Sequence, residues 1–381
     1  MEYKYISADN HMDLRWIPKN TWQDRVPARL RDRAPRVVET PKGTYWEWEG
    51  KLREPSADGR SNAAIRQEHF AVQGVETPEG SLPPSDPALL LQHLDLAGLY
   101  AGVLFGATRK WHMDDPELRV ACYRAYSDWM LELNSAAPER IIGLPNLPAP
   151  FPDLCGAELY RLAKAGAKGV ELSPFDAAEP LYSEVWEPVW AAAEDADIPV
   201  CFHIGDKAGT PYPPNNRGSL LAHFSRVPLA AAPGITDLVF SGALERHPGL
   251  RVCFAECRIG WLPFLVSWMD RQVREREPDP TAPLSLLPSE YFARQVRVTF
   301  EDDMIGARLL PEPWAYLRDS AMWGADYPHT QGVWPDPDPV MAEMFAGVDP
   351  AFQREIVFDR AARFFKLETP VSVAAGHSAP T

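Results

Sequence analysis

The regular alternation of short β-rich runs with amphipathic segments constrains the fold of this chain more than any other feature. Beyond residue 85, apolar residues between these runs recur at the i, i+3, i+4 spacing of helices. Strands separated by helices are typical of a parallel sheet with helical crossovers. The predicted helices include Pro87–Leu96, Pro116–Leu133, Ser183–Glu194, Gly218–Ala231 and Trp261–Glu277. The predicted strands are Tyr5–Ala8, Tyr100–Phe105, Ile141–Leu144, Gly169–Leu172, Val200–Ile204, Val252–Ala255, Val296–Phe300 and Ala321–Gly324.

Eight strands with intervening helices predict an α/β fold, a closed (β/α)8 TIM barrel. Such a barrel needs roughly 250 residues, so 381 residues accommodate one barrel with an insertion. A doubly wound open sheet has the same alternation, but residues 9–13 (Asp-Asn-His-Met-Asp) replace the Gly-rich phosphate turn expected after its first strand. A two-domain chain is a further alternative, although no low-complexity linker divides the sequence.

Residues 14–86 interrupt the alternation and are rich in Pro, Arg and Trp. They contain a predicted hairpin from Val37–Glu39 to Tyr45–Trp48, joined by the turn residues Pro-Lys-Gly. An insertion after the first strand belongs to the C-terminal face of a barrel, over the active site. A peripheral decoration or an oligomer contact explains the segment equally well. We therefore predict one barrel domain over residues 1–368, including insertion 14–86, and a frayed tail over residues 369–381.

Composition limits the partners and the compartment. The formal net charge of −15 argues against nucleic acid and anionic membrane surfaces as partners, but it does not exclude a small anionic substrate. We expect the partner to be a small-molecule substrate. The five cysteines are odd in number, widely spaced and without a CxxC pair, which predicts free thiols in a reducing compartment. The sequence contains no run of about 18 apolar residues, so we predict no membrane-spanning segment. We expect a cytoplasmic protein.

Acidic and imidazole side chains stand at the ends of four predicted strands. Asp9 and His11 end the first strand, His203 the fifth, and Glu256 and Asp326 follow the sixth and the eighth. Parallel strands of a barrel all end at one face, so these side chains can converge. The spacing of Asp9 and His11 places both on the same side of their strand. Each residue alone has an ordinary explanation, such as capping a turn, but together they predict a catalytic metal site with an open position.

These segments carry a family resemblance. The chain resembles the amidohydrolase-related family, the branch of the amidohydrolase superfamily that includes the aminocarboxymuconate-semialdehyde and resorcylate decarboxylases. The resemblance extends from about residue 4 to residue 365. The matching segments are 8–11 (ADNH), 199–203 (PVCFH), 241–252 (SGALERHPGLRV), 255–263 (AECRIGWLP) and 323–329 (WGADYPH).

The resemblance implies a barrel with one divalent metal ion. His203 and Asp326 match the family's ligands after strands five and eight, and Asp9 and His11 match the first pair. The family often has His-x-His there, and some decarboxylases have Glu-x-His, which Asp9-x-His11 resembles. His11-x-Asp13 is an alternative register that would replace Asp9. The mixed oxygen and nitrogen ligands suit Zn²⁺ or Mn²⁺.

Glu256 departs from the family pattern, because many family decarboxylases place a His at this position. A glutamate there can act as a general acid or base if burial raises its pKa. The predicted catalytic residues are Asp326 and Glu256. A salt bridge between Glu256 and Arg258 is the structural alternative.

Substrate contacts are predicted from residues close to the strand ends. His329 and Arg258 are the predicted substrate-binding residues. Arg109, Trp111 and His112, on the loop after the second strand, are weaker candidates for contacts with a carboxylate and an aromatic ring.

Three functions are compatible with these residues. The first is a hydrolase that uses a metal-activated water on an amide, ester or lactone, with Asp326 accepting the water's proton. The alternative is a non-oxidative decarboxylase of an aromatic or unsaturated acid, in which Asp326 carries a proton to carbon. A metal-binding protein without turnover is the third, and the intact ligand set argues against it. The resemblance and the aromatic insertion are compatible with a homodimer.

Overall fold

Strands and helices alternate along the chain as the sequence predicts. The computed structural model describes residues 3–59, 61–106, 112–203, 219–276 and 284–370, with residues 219 and 220 described by backbone only. Its strands are β1 (Tyr5–His11), β2 (Arg36–Thr40), β3 (Gly43–Trp48), β4 (Lys51–Pro55), β5 (Leu99–Phe105), β6 (Ile141–Gly143), β7 (Val170–Glu171), β8 (Val200–His203), β9 (Val252–Ala255), β10 (Val296–Phe300) and β11 (Ala321–Trp323). Its α-helices are α1 (Ala63–Val72), α2 (Pro87–Leu96), α3 (Pro116–Ser135), α4 (Pro152–Lys164), α5 (Glu187–Asp195), α6 (Ser219–Arg226), α7 (Ala231–Phe240), α8 (Ala243–Arg246), α9 (Leu262–Glu275), α10 (Pro288–Gln295), α11 (Met304–Leu309), α12 (Asp338–Met344), α13 (Pro350–Arg354) and α14 (Arg360–Phe364), with a π-helical turn, Glu355–Asp359, between the last two.

Eight parallel strands form the barrel. Strands β1, β5 and β6 make one parallel sheet, and β7 to β11 make a second. Isolated parallel bridges join the two sheets at both seams: Asn146 pairs with Glu171, and Asn10 pairs with Tyr327. The eight strands therefore follow one another round a ring, and the predicted (β/α)8 fold is confirmed.

The seam between the first and last barrel strands requires a glycine. A Cβ atom on Gly324 would lie 2.4 Å from the Cβ of Asp9, so a larger residue would push the two strands apart. Across this seam the backbone N–H of Asp326 donates to the carbonyl of Asp9 (2.8 Å), and that of His11 donates to the carbonyl of Tyr327 (2.6 Å). These contacts hold the carboxylate after β11 beside the end of β1.

The insertion forms its own antiparallel sheet of β2, β3 and β4. The predicted hairpin is confirmed by the pairing of β2 with β3. Its Trp48 indole N–H donates to the carbonyl of His112 after β5 (3.1 Å), and the His69 ring on α1 lies 2.5 Å from the carbonyl of Pro328 after β11. Contacts with the loops after two barrel strands place the insertion against the C-terminal face of the barrel.

Prolines explain where the helices differ from the prediction. The segment predicted as one helix over Gly218–Ala231 contains α6, a 3-10 turn at Val227–Ala230 and the start of α7. Pro228 has no N–H to donate and its ring blocks a continuing helix, so the single helix is wrong. The predicted helix Ser183–Glu194 begins as a 3-10 turn, with α5 starting at Glu187 just before Pro188.

Some predicted segments differ from the structure at their ends, and some predicted residues lie outside the described ranges. The fourth barrel strand, predicted over Gly169–Leu172, has only the two residues of β7. Ile204, Gly218, Glu277 and the tail from residue 371 lie outside the described residues, as do Arg109 and Trp111.

All five cysteines are free and buried. Within the described ranges, no helix is long and apolar enough to cross a membrane.

Candidate metal centre

The ends of the barrel strands bring the predicted ligands together. His11 Nε2 lies 2.9 Å from Asp326 Oδ1 and 3.8 Å from Asp9 Oδ1. His203 Nε2 lies 3.6 Å from Asp9 Oδ1 and 3.0 Å from Glu256 Oε2. Ligand atoms of Asp9, His11 and His203 lie within 4.8 Å of one another, and so do those of His11, Glu256, Asp326 and His329. The two groups share His11 and form one cluster, which we call the strand-end cluster.

The strand-end cluster contains buried polar atoms of the kind that bind a cation. Asp9 Oδ1 and His11 Nε2 are buried and make no hydrogen bond of acceptable geometry in the part of the chain that the structure describes. An unsatisfied buried polar atom costs about 1–3 kcal/mol, and more when it is charged. One Zn²⁺ or Mn²⁺ could bind the imidazole nitrogens and carboxylate oxygens of the cluster together and so compensate for their burial.

The structure distinguishes Asp9 from Asp13. Asp9 is fully buried within the cluster. Asp13 instead lies with Oδ2 3.1 Å from Nε2 of His329, and among the described residues it belongs to neither group of converging ligand atoms. The geometry therefore favours Asp9 over the alternative register.

His329 lies between two carboxylates. Its Nδ1 is 2.7 Å from Asp326 Oδ1, while its Nε2 faces Asp13. Burial acts to lower the pKa of His329, but the charges of Asp326 and Asp13 raise it well above its ordinary value. Burial likewise acts to raise the pKa of Asp326, but His329 and His11 hold it below its ordinary value. The two shifts run in opposite directions, and without a bound cation both favour opposite charges on His329 and Asp326.

Glu256 faces the two histidines and makes no ion pair with Arg258. Its Oε2 lies 3.0 Å from His203 and 3.5 Å from His11. Burial and Asp326 act to raise the pKa of Glu256, but the histidines lower it below its ordinary value. The proposed Glu256–Arg258 salt bridge is wrong, because the Arg258 guanidinium pairs with Glu301 (3.1 Å) and Asp302. Since two carboxylates engage Arg258, its role in substrate binding remains a prediction.

Two carboxylates of the cluster sit on strained backbone. Glu256 has φ of 54° and Asp326 has φ of 57°, in the left-handed region that residues with a Cβ seldom occupy. Such a conformation costs of order 1–3 kcal/mol and is concentrated at functional sites. Each conformation therefore adds a local cost that the contacts of these two residues must offset.

Sequence reasoning missed three residues of the site. Thr299 on β10 donates its hydroxyl to Asp9 Oδ2 (2.6 Å). Glu301, just past β10, is buried, and burial raises its pKa well above its ordinary value. The ring of Phe105, at the end of β5, lies 5.0 Å from that of His203. The strand-end rule that identified Glu256 could also have identified Glu301, whereas the other two depend on strand register.

A largely apolar cavity lies beside His203. Its volume is about 720 Å³, and it opens between the ends of β7 to β9 and the helices α6 and α7. The rings of Phe175, Phe202 and Phe254 line it, together with the charged side chains of Arg226 and Asp237. Its size falls within the range of pockets for small organic ligands.

The fold and the strand-end cluster together define a (β/α)8-barrel enzyme with a candidate metal centre at the mouth of the barrel. Comparison with protein families agrees, since the amidohydrolase family model matches residues 111–367, more than half of the chain. The chain belongs to the amidohydrolase family, and the resemblance inferred from the motifs is confirmed. Membership of this family supports the prediction that the chain is an enzyme.

Individual relatives are similar over different lengths. The 2-amino-3-carboxymuconate-6-semialdehyde decarboxylase of Dictyostelium discoideum is 26% identical over 194 residues, which cover 50% of this chain. The chain thus matches about half the length (51%) of that curated relative.

Solved structures resemble the chain over most of its length. An amidohydrolase from Mycobacterium avium subsp. paratuberculosis superposes with a TM-score of 0.73 at 18% identity, covering 96% of this chain and 100% of that one. A dihydroxybenzoic acid decarboxylase from Polaromonas, solved with manganese and 2-nitroresorcinol, has a TM-score of 0.60 at 17% identity, covering 96% and 98%. At these identities the likeness establishes the fold.

Proposed function

We propose that this enzyme is a metal-dependent, non-oxidative decarboxylase of a small aromatic or unsaturated carboxylic acid. The observation that carries the proposal is the Asp326–His329 pair, in which Nδ1 of the histidine lies 2.7 Å from a carboxylate oxygen of the strand-end cluster. Replacing a carboxylate by hydrogen requires a proton at this place. The decarboxylase activities of the Dictyostelium and Polaromonas relatives support the same reaction.

In the proposed site, Asp9, His11, His203 and Asp326 would hold one Zn²⁺ or Mn²⁺. Manganese in the Polaromonas relative supports this assignment. When bound, the cation supplies positive charge that attracts the substrate's carboxylate and an adjacent oxygen and favours electron density on them. The apolar cavity, which His203 lines, is large enough for a substituted ring.

Residues of the chain would supply the proton that replaces CO₂ on the substrate carbon. Breaking the bond between the ring and its carboxylate releases CO₂ and leaves the electron pair on carbon, which then takes one proton. Asp326, which is a carboxylate, would take a proton from His329 Nδ1 over the 2.7 Å contact and pass it to that carbon, leaving His329 neutral. Glu256, held against His203 and His11, would orient both rings.

Hydrolysis, the first prediction from the sequence, is the second candidate. The observation that favours it is Glu256 itself, a carboxylate at a position where many family decarboxylases have an imidazole. The decarboxylase relatives support the alternative prediction better, and we rank the two functions accordingly.

A parallel substrate screen tests the proposal. Protein loaded with Mn²⁺ is incubated with a panel of hydroxybenzoates, and CO₂ release and ultraviolet absorbance are followed beside an ester and lactone panel. We expect CO₂ and the matching phenol from at least one hydroxybenzoate, and loss of this turnover in Asp326→Asn. A hydrolytic product from an ester or lactone, with no CO₂ from any acid, would identify the enzyme as a hydrolase instead.

A further inference from the structure

The hydroxyl of Thr299 connects two residues of the strand-end cluster that come from different strands. We infer that Thr299 is a positioning residue, which fixes the Asp9 carboxylate and the Glu256 backbone at the same time. The inference rests on the proposed metal centre and concerns how the barrel builds it. Thr299 itself is fully buried on β10.

The Thr299 hydroxyl both donates and accepts a hydrogen bond within the strand-end cluster. Thr299 Oγ1 donates its one proton to Asp9 Oδ2 (2.6 Å) and accepts the backbone N–H of Glu256 (2.7 Å). A hydrogen bond to a carboxylate is stronger than one between neutral groups. One side chain therefore links the end of the first barrel strand to the residue that follows the sixth.

The bond to Asp9 determines which of its oxygens faces the cluster. Because Oδ2 is engaged by Thr299, Oδ1 is left facing His11 Nε2 (3.8 Å) and His203 Nε2 (3.6 Å). Asp9 is thereby prepared to offer a cation one oxygen in a fixed direction. Groups that orient ligands in this way commonly affect metal affinity strongly.

The bond to Glu256 anchors a strained backbone. The N–H of Glu256 belongs to a residue with φ of 54°, and its carboxylate lies 3.0 Å from His203. If Thr299 did not accept this N–H, the hydrogen bond that offsets the energetic cost of the left-handed backbone at Glu256 would be lost. Thr299 therefore contributes to directing the Glu256 carboxylate at the histidines.

The position of Thr299 is set by the sheet. On β10 it pairs in register with Met322 of β11, and the preceding Val298 pairs with Phe254 of β9. A β-branched side chain on a strand also has a restricted χ1 angle. The hydroxyl is thus held rigidly, as a positioning role requires.

The test compares three substitutions at this site with one elsewhere. Thr299→Val removes the hydroxyl with little change of shape, Thr299→Ala removes it with more, and Thr299→Ser retains it. Thr21→Val is the matched control, since the buried hydroxyl of Thr21 makes no hydrogen bond in the described part of the structure. Each purified full-length protein is freed of metal and titrated with Mn²⁺, following free Mn²⁺ by electron paramagnetic resonance, with circular dichroism to verify folding.

We expect Thr299→Val and Thr299→Ala to bind Mn²⁺ about 10- to 100-fold more weakly than the wild type. Thr299→Ser and Thr21→Val should bind like the wild type. If Val does not fold, the Ala and Ser variants still differ by the hydroxyl alone. Wild-type affinity in the folded variants that lack the hydroxyl would overturn the positioning role. A wild type that binds no Mn²⁺ or Zn²⁺ would instead overturn the proposed metal centre.

Discussion

The imidazole rings of His11 and His329 lie stacked, with centroids 3.9 Å apart and planes inclined by 28°. Both rings contact Asp326, and His329 also contacts Asp13. The stack therefore places the ring of His329, whose pKa is raised by Asp326 and Asp13, directly against a predicted metal ligand. A positive charge so close to a cation site is unfavourable for metal binding, which suggests that it is retained for catalysis.

Replacing His329 should separate catalysis from metal binding. In His329→Gln the proton donor beside Asp326 is lost, and so is a charge that repels the cation. We expect kcat to fall by about 10²- to 10⁴-fold, as for loss of a general acid, while Mn²⁺ affinity stays the same or increases. Steady-state kinetics and Mn²⁺ titration check the two quantities. Loss of Mn²⁺ affinity in a folded variant would show that His329 is a ligand.

Asparagine substitutions at Asp9 and Asp13 should resolve the first-strand register. Asp9→Asn removes the charge of a buried carboxylate that faces His11 and His203, so the affinity for Mn²⁺ should fall at least tenfold. Asp13→Asn is the matched control, since Asp13 contacts His329 instead. Its Mn²⁺ affinity, measured by the same titration, should remain near that of the wild type. The reverse result would favour the His11-x-Asp13 register.

Helix α1 of the insertion should support the loop that carries His329. The His69 ring lies 2.5 Å from the carbonyl of Pro328, and the Gln73 amide donates to the carbonyl of His329 (3.3 Å). Since a hydrogen bond contributes about 0.5–1.5 kcal/mol, we expect Gln73→Ala to lower kcat by about two- to tenfold without changing Mn²⁺ affinity. Val72→Ala, at the exposed last residue of α1 and next to Gln73, is the control. Equal kcat values in both variants would contradict this role.

His93 should make folding stability depend on pH. Burial lowers the pKa of His93 from 6.5 to about 4, and its Nδ1 lies 2.8 Å from the Tyr327 hydroxyl. The unfolded chain binds this proton more readily, so stability contributed by neutral His93 is present above pH 6.5 and is lost as pH falls toward 4. The loss amounts to about 3 kcal/mol at most.

Urea denaturation at several pH values between 7 and 4 measures this effect. The free energy of unfolding of the wild type should decline more steeply over this interval than that of His93→Gln, which has no group titrating at this position. Parallel pH dependences in the two proteins would show that His93 does not cause the decline.

The convergence of the proposed ligands could be predicted from the sequence because barrel topology brings strand ends together regardless of packing detail. Asp9, His203 and Asp326 are far apart in the chain, yet each follows a recognisable strand, and the structure places them in one cluster. Thr299 could not be found in this way, because its contact with Asp9 depends on strand register and on a side-chain rotamer. The pairing of Arg258 with Glu301 rather than Glu256 likewise depends on the left-handed turn of the backbone after β9.

Anomalous X-ray diffraction from crystals soaked in Mn²⁺ and a hydroxybenzoate tests the central claim most directly. We predict one manganese peak per chain, within about 2.3 Å of Asp9 Oδ1, His11 Nε2, His203 Nε2 and Asp326 Oδ1, a distance typical of metal–ligand bonds to nitrogen and oxygen. The hydroxybenzoate should lie against the peak with its carboxylate towards Asp326. No peak at the strand-end cluster, or a peak that these four atoms do not contact, would contradict the account.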